Sequence, residues 1–565
     1  MNIHCNPIVN WFLRLLVDIS IDQKCHLDAP DNLSYEWLMV NAPLLEKQVL
    51  AYIEGHRTEN PDLPEWLIPL WERFVLNKDV AALRSLRQLL LFCYKAEHEP
   101  TKQQLQEAQA GFEETDRTVE MWAQAFTARP LSILYREARR IVSKVIYRAD
   151  WKEIRPSHGP GGVYPPRKPE MKSKFFTIYN SIQAYYPADQ YFCGIPSFWD
   201  YHFVLGSKGR ITECDDIVAK LTAVPKDSRG PRLISVQPAE ACWIQQGQRH
   251  VLEHCITSSP LTKGKINFTD QTVNGKLALE SSKSGYLCTL DLKEASDRIS
   301  CELVRALFGE YVYDMLSCSR ASSIRLLDGR VMTLKKWAPM GNALCFPVQS
   351  LVFYCLVHAG IRCRYGVTCN DIYVFGDDIL FPSRYYEGAI GALVSAGLVP
   401  NMSKTFRKGL FRESCGVEAY NGQDVTPLRV KKCSVNLREH AVALCDLAAR
   451  LRRKGYERCA ASIYKSVRER WGELPKNNNP DVSGLIEYVD RDFAWLLLHE
   501  PRCVFRKRFQ KWAVRCRMLK SSQVGVSKGD WYHLQDSLIR ISHMRGEISD
   551  RGTVYSDPYR VRLQY

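Results

Sequence analysis

Apolar residues recur along this chain in two rhythms, and the change from one to the other marks out its parts. Through residues 1 to about 150 the spacing is helical. Asp79 to Lys95 carries an apolar stripe, and Gln103 to Phe126 reads as a polar-faced helix rich in Glu and Gln. Nothing catalytic stands out there, so packing and partner contact are the expected roles. Between Ala223 and Phe406 short β-prone runs take over, separated by turns. Ala223 to Ile234 forms two arms around a turn, and Gly285 to Ile299 opens as a buried strand and becomes a helix. Ile324 to Leu334 is a hairpin turned at Asp328-Gly329, Val399 to Phe406 a turn leading into a strand, and Phe411 to Gly416 a further turn. One helix starts at Pro347, a residue suited to a first turn, and runs to Val357; another spans Tyr385 to Gly397. From Ser434 onward helices dominate, Leu437 to Arg453 and Tyr456 to Trp471, and residues 551–565 read as a loose tail.

The stretch from Tyr373 to Phe381 organises the rest. Two apolar arms flank Gly376-Asp377-Asp378, so a hairpin that wants burial carries two adjacent carboxylates at its tip. Most such triplets are solvated turns, but apolar arms draw this one inward, and burying unpaired carboxylates is costly. A metal ion at the tip resolves the conflict. Asp291, where the Gly285 strand ends, is placed to meet a hairpin tip on a neighbouring strand. Asp297 falls in the first turn of the following helix, where an acid also favours the helix dipole. Three cations, Lys226, Arg229 and Arg232, sit on the turn after Ala223. Such cations are usually solvated, yet between rigid arms they suit a triphosphate, Arg in bidentate geometry and Lys as a point charge. Gly341, in Met340-Gly341-Asn342, permits a flexible loop with close backbone approach, and Asn342 is a free donor and acceptor there. Lys404 lies on the strand that ends at Phe406.

Composition narrows the class. At 565 residues the chain exceeds one core and suggests three or four subdomains. Lys plus Arg number 77 against 62 acids, and a formal charge of +15 favours a polyanionic partner, nucleic acid first. The 13 Trp, 27 Tyr and 21 Phe supply surfaces for base stacking as well as core. The 20 cysteines include no C-x-x-C pair, which argues against a disulfide scaffold or a zinc ribbon and for reduced thiols. His250 and His254, with Cys255, stand one helical turn apart and could ligate zinc, but no second ligand pair is in view. The apolar run Ile8 to Leu13 is broken by Arg14 and Asp18 and has neither the length of a membrane span nor the start and cleavage site of a signal peptide. No other stretch approaches a span, so a soluble protein with no membrane partner is expected. The loop His158-Gly159-Pro160-Gly161-Gly162-Val163, followed by Arg167 and Lys168, reads equally as a connector and as a phosphate contact. The basic run Arg502 to Lys520 is consistent with an RNA-facing surface and equally with a solvated helix.

Asp291, Asp377 and Asp378 on two strand-type elements, followed by a lysine, are what two-metal phosphoryl transfer requires. Two ions about 3.5–4 Å apart share acidic ligands; one activates the attacking hydroxyl and the other neutralises departing pyrophosphate. Hard oxygen ligands point to magnesium, with manganese as a substitute. The order of basic hairpin, Asp-x5-Asp, Met-Gly-Asn, Gly-Asp-Asp, lysine strand and Phe-Arg-Glu-Ser-Cys-Gly resembles the replicase subunit of the single-stranded RNA bacteriophages, the leviviruses. Continuous resemblance runs from about Ala223 to Pro427, through Asp270 to Asn274, Asn401 to Phe406 and Asp424 to Pro427. It implies an α+β right-hand polymerase fold with fingers, a palm built on an antiparallel sheet, and a helical thumb. The corresponding divisions are a helical region 1–150, fingers 151–285, palm 286–300, a fingers insertion 301–338, palm 339–427 and thumb with C-terminal helices 428–565.

The resemblance also implies roles. Asp291, Asp377 and Asp378 hold the metals; Lys226, Arg229 and Arg232 grip the triphosphate; Asp297 and Asn342 read the ribose 2′-hydroxyl, with Gly341 letting the loop shift. Lys404 is the acid for pyrophosphate, and the Phe411 to Gly416 turn braces the growing 3′ end. The reaction implied is RNA-directed RNA synthesis from nucleoside triphosphates on a single-stranded template, without a primer, in the cytoplasm of an infected bacterium. Host translation elongation factors Tu and Ts are the implied partners. One departure stands out. Where better-known members carry Gly, an aromatic, Thr, Phe and Glu, this chain has Ala343, Leu344, Cys345, Phe346 and Pro347, and Cys345 is a poor substitute for a threonine hydroxyl. Two alternatives remain: a reverse transcriptase with the same palm, against which the small, polar Lys293 to Asp297 segment argues, and a non-catalytic RNA-binding protein acting through charge alone.

Overall fold

Helices open the chain, and each starts where a local rule allows. The computed structural model describes residues 7–127, 131–167, 172, 175–192, 212–227, 230–479, 482–499, 503–523 and 554–564. Pro7 begins α1 (Pro7–Asp22), a position where no backbone N–H is needed. After α2 (Ala42–Ile53) and α3 (Ile68–Asn77), the Asp79 carboxylate caps α4 (Val80–Leu91) by accepting from the N–H groups of Ala81 at 2.9 Å and Ala82 at 3.3 Å. Then come the long α5 (Lys102–Thr127) and α6 (Ile133–Ile146).

The middle of the chain is mixed. β1 (Val218–Asp227) and β2 (Gly230–Val236) form the basic hairpin, followed by α7 (Ala239–Ser258) and α8 (Thr272–Ser284). β3 (Leu287–Leu290) is buried at every position, and β4 (Leu292–Lys293) follows directly. α9 (Cys301–Phe308) begins only at Ser300, whose hydroxyl accepts from the Leu303 N–H at 2.9 Å. Asp297 therefore lies in the turn before this helix and not in its first turn, because Ser300, immediately before the helix, supplies the cap. β5 (Ser323–Arg325) and β6 (Val331–Thr333) form the expected hairpin, and with β1 and β2 they make a four-stranded sheet in the order β2-β1-β5-β6.

α10 (Cys345–Tyr365) runs farther than its apolar start suggests and is buried nearly all round from Cys345 to Ile361. By length and apolarity it is the one helix among the described residues that could cross a membrane, but 89% of that stretch lies inside the core. β7 (Tyr373–Phe375) and β8 (Asp378–Pro382) form the central hairpin, and α11 (Tyr386–Ser395) and β9 (Val399–Pro400) follow. The expected strand around Lys404 is instead a 3-10 turn, Met402–Lys404, and only Phe406 bridges back to Thr289. The segment from Phe411 is not a simple turn either: β10 (Phe411–Ser414) pairs with β11 (Val417–Tyr420) around Cys415-Gly416.

Toward the end, α12 (Arg438–Arg453) and α13 (Glu457–Trp471) match their apolar spacing. The basic segment after residue 502 is strand and not helix: β12 (Cys503–Arg506) pairs with β13 (Lys511–Gln523), and β14 (Val554–Gln564), in the stretch read as a tail, pairs with β13.

Two cores hold these elements. The larger joins α5, α6 and α7 to β3, α9, α10, β7, β8 and α11. The smaller joins α1 to α4 with α12 and α13, so the first four helices and the helices from Arg438 share one interior. The helices of the first 150 residues thus divide between the cores, with α5 and α6 packed on the sheet region and the first four on the C-terminal helices.

Candidate active site

The sheet β3-β8-β7 is antiparallel, and its register brings the acids together. Leu290 pairs with Ile379, so the next residue of the first strand, Asp291, comes beside Asp378, the first residue of β8. Asp378 in turn pairs with Phe375, leaving Gly376 and Asp377 as a two-residue turn. Gly376 has φ +65°, and Asp377 does not share the positive sign, the pattern of a II′ hairpin turn with glycine first. A Cβ on Gly376 would stand 2.6 Å from the Phe346 ring, so glycine is also required for space.

Each acid has a different set of partners. The Asp291 carboxylate accepts from the Asn401 amide at 3.0 Å and lies 3.5 Å from the Lys404 ammonium. Asp378 accepts from the Cys415 backbone N–H at 3.1 Å, and burial followed by the Asp377 charge pushes its pKa up to about 6. Asp377 is open to solvent at the turn yet surrounded by protein, and burial then the Asp291 charge push its pKa up, opposed by Lys404 and Arg232. Lys404 is held in its charged form chiefly by Glu413, 3.9 Å away, and by Asp291.

The other expected residues are distributed as follows. Arg232 pairs with Val224 on the basic hairpin and is exposed, with its charge reaching Asp377. Lys226 is exposed at the end of β1, and Arg229 lies outside the described residues. The Asp297 side chain is partly exposed, and its pKa is raised by burial against the pull of Lys336. Gly341, at φ +116°, is pressed against β2: a Cβ there would stand 2.2 Å from the Ser235 carbonyl oxygen, and the Ser235 N–H donates to the Met340 carbonyl at 2.8 Å. The close approach expected of this glycine is present. Asn342 differs from expectation. It is buried, and its side-chain oxygen already accepts from the Leu344 N–H at 2.8 Å, which leaves its amide N–H groups as donors but not a free acceptor. The reason is local, since an asparagine two residues before an orphan N–H folds back onto it. Cys345 is buried, and its thiol lies 3.9 Å from the Gln349 side-chain oxygen.

Three partners escaped the sequence reading: Asn401, Glu413 and the Cys415 N–H. Asn401 and Cys415 contact a metal-candidate aspartate, and Glu413 contacts Lys404. Only their presence inside recurring motifs signals them, because the contacts span 110, 37 and 9 residues of chain respectively. No three His, Cys, Asp or Glu side chains among the described residues form a ready-made metal cage, either at these aspartates or at His250 and His254 on α7. The aspartates nonetheless fit divalent ions by their chemistry. They are hard oxygen donors brought together, the Asp291 charge raises the pKa of both Asp377 and Asp378, and only one oxygen each of Asp291 and Asp378 is engaged by the protein among the described residues.

Residues 206–456 match the family model described as RNA replicase, beta-chain. The RNA-directed RNA polymerase subunit beta of Enterobacteria phage SP is 35% identical over 213 residues, 38% of this chain and 36% of that protein. The RNA-directed RNA polymerase beta chain of Escherichia phage MS2 is 35% identical over 38% of each chain, and the corresponding subunit of Escherichia virus Qbeta 32% identical over 47% of this chain and 44% of its own. The matched stretch therefore spans less than half the length of these relatives. Among solved structures, an insertion-loop deletion mutant of the RNA-dependent RNA polymerase of a human picorbirnavirus aligns with a TM-score of 0.31 and 11% identity, over 45% of this chain and 57% of that one, too slight a likeness to argue from. The resemblance to phage replicase subunits is borne out across the segment that carries the acids.

Proposed function

With residues 206–456 similar to the RNA replicase beta-chain family, we propose that this chain is an RNA-directed RNA polymerase of right-hand fold. It extends an RNA 3′ end with nucleoside triphosphates on a single-stranded RNA template. The observation that carries the reading is the register that sets Asp291 and Asp378 side by side with Asp377 on the adjoining turn. These three would hold two magnesium ions, with manganese as a substitute, and the ions would supply an activated 3′-hydroxyl and charge neutralisation at the leaving pyrophosphate.

The chain's own residues do the rest. Arg232 and Lys226 of the basic hairpin, with Arg229 between them in the sequence, draw the triphosphate toward the acids. Asn401 and the Cys415 N–H hold Asp291 and Asp378 in their orientations. Lys404, kept charged by Glu413, holds a proton near the leaving group, and the Asn342 amide and Asp297 carboxylate are the donor and acceptor for a ribose hydroxyl. By analogy with the family, the setting is the cytoplasm of an infected bacterium and elongation factors Tu and Ts are the partners.

The test is incorporation of labelled nucleotides by the purified chain on an RNA template with magnesium, with and without host lysate. Synthesis from ribonucleotides supports the proposal. Equal use of deoxynucleotides would make the enzyme a reverse transcriptase, and RNA binding without synthesis under either condition would leave only a binding protein.

A further inference from the structure

Beside Asp297 lies a buried lysine that the proposed mechanism does not use. Lys336 has no exposed surface. Its ammonium donates to the Phe112 carbonyl at 3.0 Å, sits 3.5 Å above the centre of the Phe112 ring, and lies 3.7 Å from an Asp297 oxygen. A fully buried ammonium demands a counter-charge, and Asp297 is the carboxylate within ion-pair reach.

The backbone around it is pinned. The Asp116 carboxylate of α5 accepts from the N–H groups of both Lys335 and Lys336, the latter at 3.0 Å. The Cys301 N–H donates to the Lys335 carbonyl at 3.2 Å, and the Trp337 N–H to the Ile299 carbonyl at 2.7 Å. The lysine segment therefore runs alongside the residues that follow Asp297 and cannot slide against them. Asp297 itself looks two ways: its side chain keeps 24% of its surface open, and the oxygen nearer Lys336 has no hydrogen-bond partner. The buried Cys345 thiol feels the charges of both Asp297 and Asp377, so Asp297 and a metal-candidate acid lie near the same side chain.

We propose that Lys336 is a positioning residue for sugar selection: its ammonium, seated on Phe112 of α5, fixes Asp297 as a charged acceptor aimed at the 2′-hydroxyl of the incoming nucleotide. The proposal rests on the polymerase reading. It also gives the N-terminal region a part in nucleotide choice, through a contact that spans 224 residues of chain. An acceptor held ionised and in place by a cation rewards a substrate hydroxyl and gains nothing from its absence.

The experiment compares single-nucleotide incorporation of a ribonucleoside triphosphate and its 2′-deoxy counterpart by the full chain, as wild type, K336M, D297N and the double variant. K336M is expected to lower kcat/KM for the ribonucleotide by about tenfold, mainly through KM, and to leave the deoxynucleotide within about twofold. In the D297N background the same change should move the ratio no further. Equal losses for both sugars, an unchanged ratio, or additive effects in the double variant would overturn the proposal. If K336M does not fold, F112L removes the aromatic seat and keeps both charges. It must also lower the ratio, and an unchanged ratio in F112L counts against the proposal. A wild type that incorporates neither sugar would instead sink the polymerase reading, a result distinct from an active enzyme whose selectivity ignores Lys336.

Discussion

Two clusters of charge meet on the β10–β11 hairpin, where Glu413 of one pairs across the strands with Glu418 of the other, and they are finished to different degrees. In the first, Glu413 and the Cys415 N–H join Asp291, Asp377 and Asp378, where acids outnumber cations and burial drives up the pKa values of Asp377, Asp378 and Glu413. In the second, Glu418 of the same hairpin meets Arg87 of α4, with Arg429 beside it. The Arg87 guanidinium, 1% exposed, also bonds Glu46 at 2.8 Å and the Val425 carbonyl at 3.0 Å, and it lies over the Phe411 ring. There every charge has an answer within the protein, and Glu418 is driven below the usual carboxylate range by burial overcome by its two arginines. A closed cluster holds two parts of the chain together, whereas an open one is poised to receive ions. Their proximity on one hairpin suggests that the closed cluster steadies the open one.

The largest way to break that contrast is to remove an acid from the open cluster. Asp377→Ala should reduce nucleotide incorporation by about a thousandfold or more while leaving RNA binding and melting temperature near wild type, because the change relieves repulsion and leaves no buried partner behind. Incorporation surviving in this variant would remove the metal assignment. The mirror experiment acts on the closed cluster. Arg87→Met leaves Glu46 and Glu418 buried beside an apolar chain and should destabilise the protein by about 3–5 kcal/mol in chemical denaturation. A stability loss under about 1 kcal/mol would show that Arg87 does not close this cluster.

What was legible in advance follows the same division. The central hairpin is a local event, set by apolar arms and a glycine-first turn, and so is the strand ending at Asp291. The acids could therefore be read from short windows. The Lys404 segment could not, because Ser403 donates to the Asn401 side chain at 2.9 Å and Thr405 to the Asn401 carbonyl at 2.9 Å, and these short-range bonds wind the backbone into a turn where β-propensity suggested a strand. Asp297 was misplaced by the competition between two polar residues for the cap of α9. Arg87, Asp116 and Lys336 gave no signal at all. Their meaning comes from partners hundreds of residues away, and a lysine or arginine in an amphipathic stretch reads as solvated until the fold buries it.

The two clusters should also carry opposite pH signatures. Asp378, with a folded pKa of about 6 against an ordinary 3.8, binds more proton folded than unfolded between those values. The metal-free protein should thus lose stability as pH rises from about 4 to about 6 and level off above, by at most about 3 kcal/mol before solvent screening reduces it. Glu418 works the other way: its contribution is complete above the ordinary glutamate range and drains as the pH falls through its depressed folded value. Denaturation midpoints for wild type, Asp378→Asn and Glu418→Gln across this range separate the two. Asp378→Asn should flatten the fall between pH 4 and 6, and a slope that persists unchanged would mean that another group carries it.

The smallest expected effect sharpens the comparison most, because it concerns a residue that neither cluster can claim outright. Asn401 is neutral, yet its amide donates to Asp291 at 3.0 Å while its backbone N–H donates to the Asp291 carbonyl at 2.9 Å, so it aims the acid without cancelling its charge. Asn401→Ala keeps the backbone bond and loses the aiming. Lys404, 3.5 Å from the same oxygen, is then the remaining side-chain partner and draws the carboxylate toward itself. If the open cluster is built to receive ions, this variant should need about tenfold more magnesium for half-maximal incorporation, with stability within about 1 kcal/mol of wild type. If Asn401 merely packs the turn, as a member of a closed cluster would, stability should fall and the magnesium titration should overlay that of the wild type. The two outcomes exclude each other, because the carboxylate that Asn401 orients is either a ligand in waiting or a structural acceptor already served.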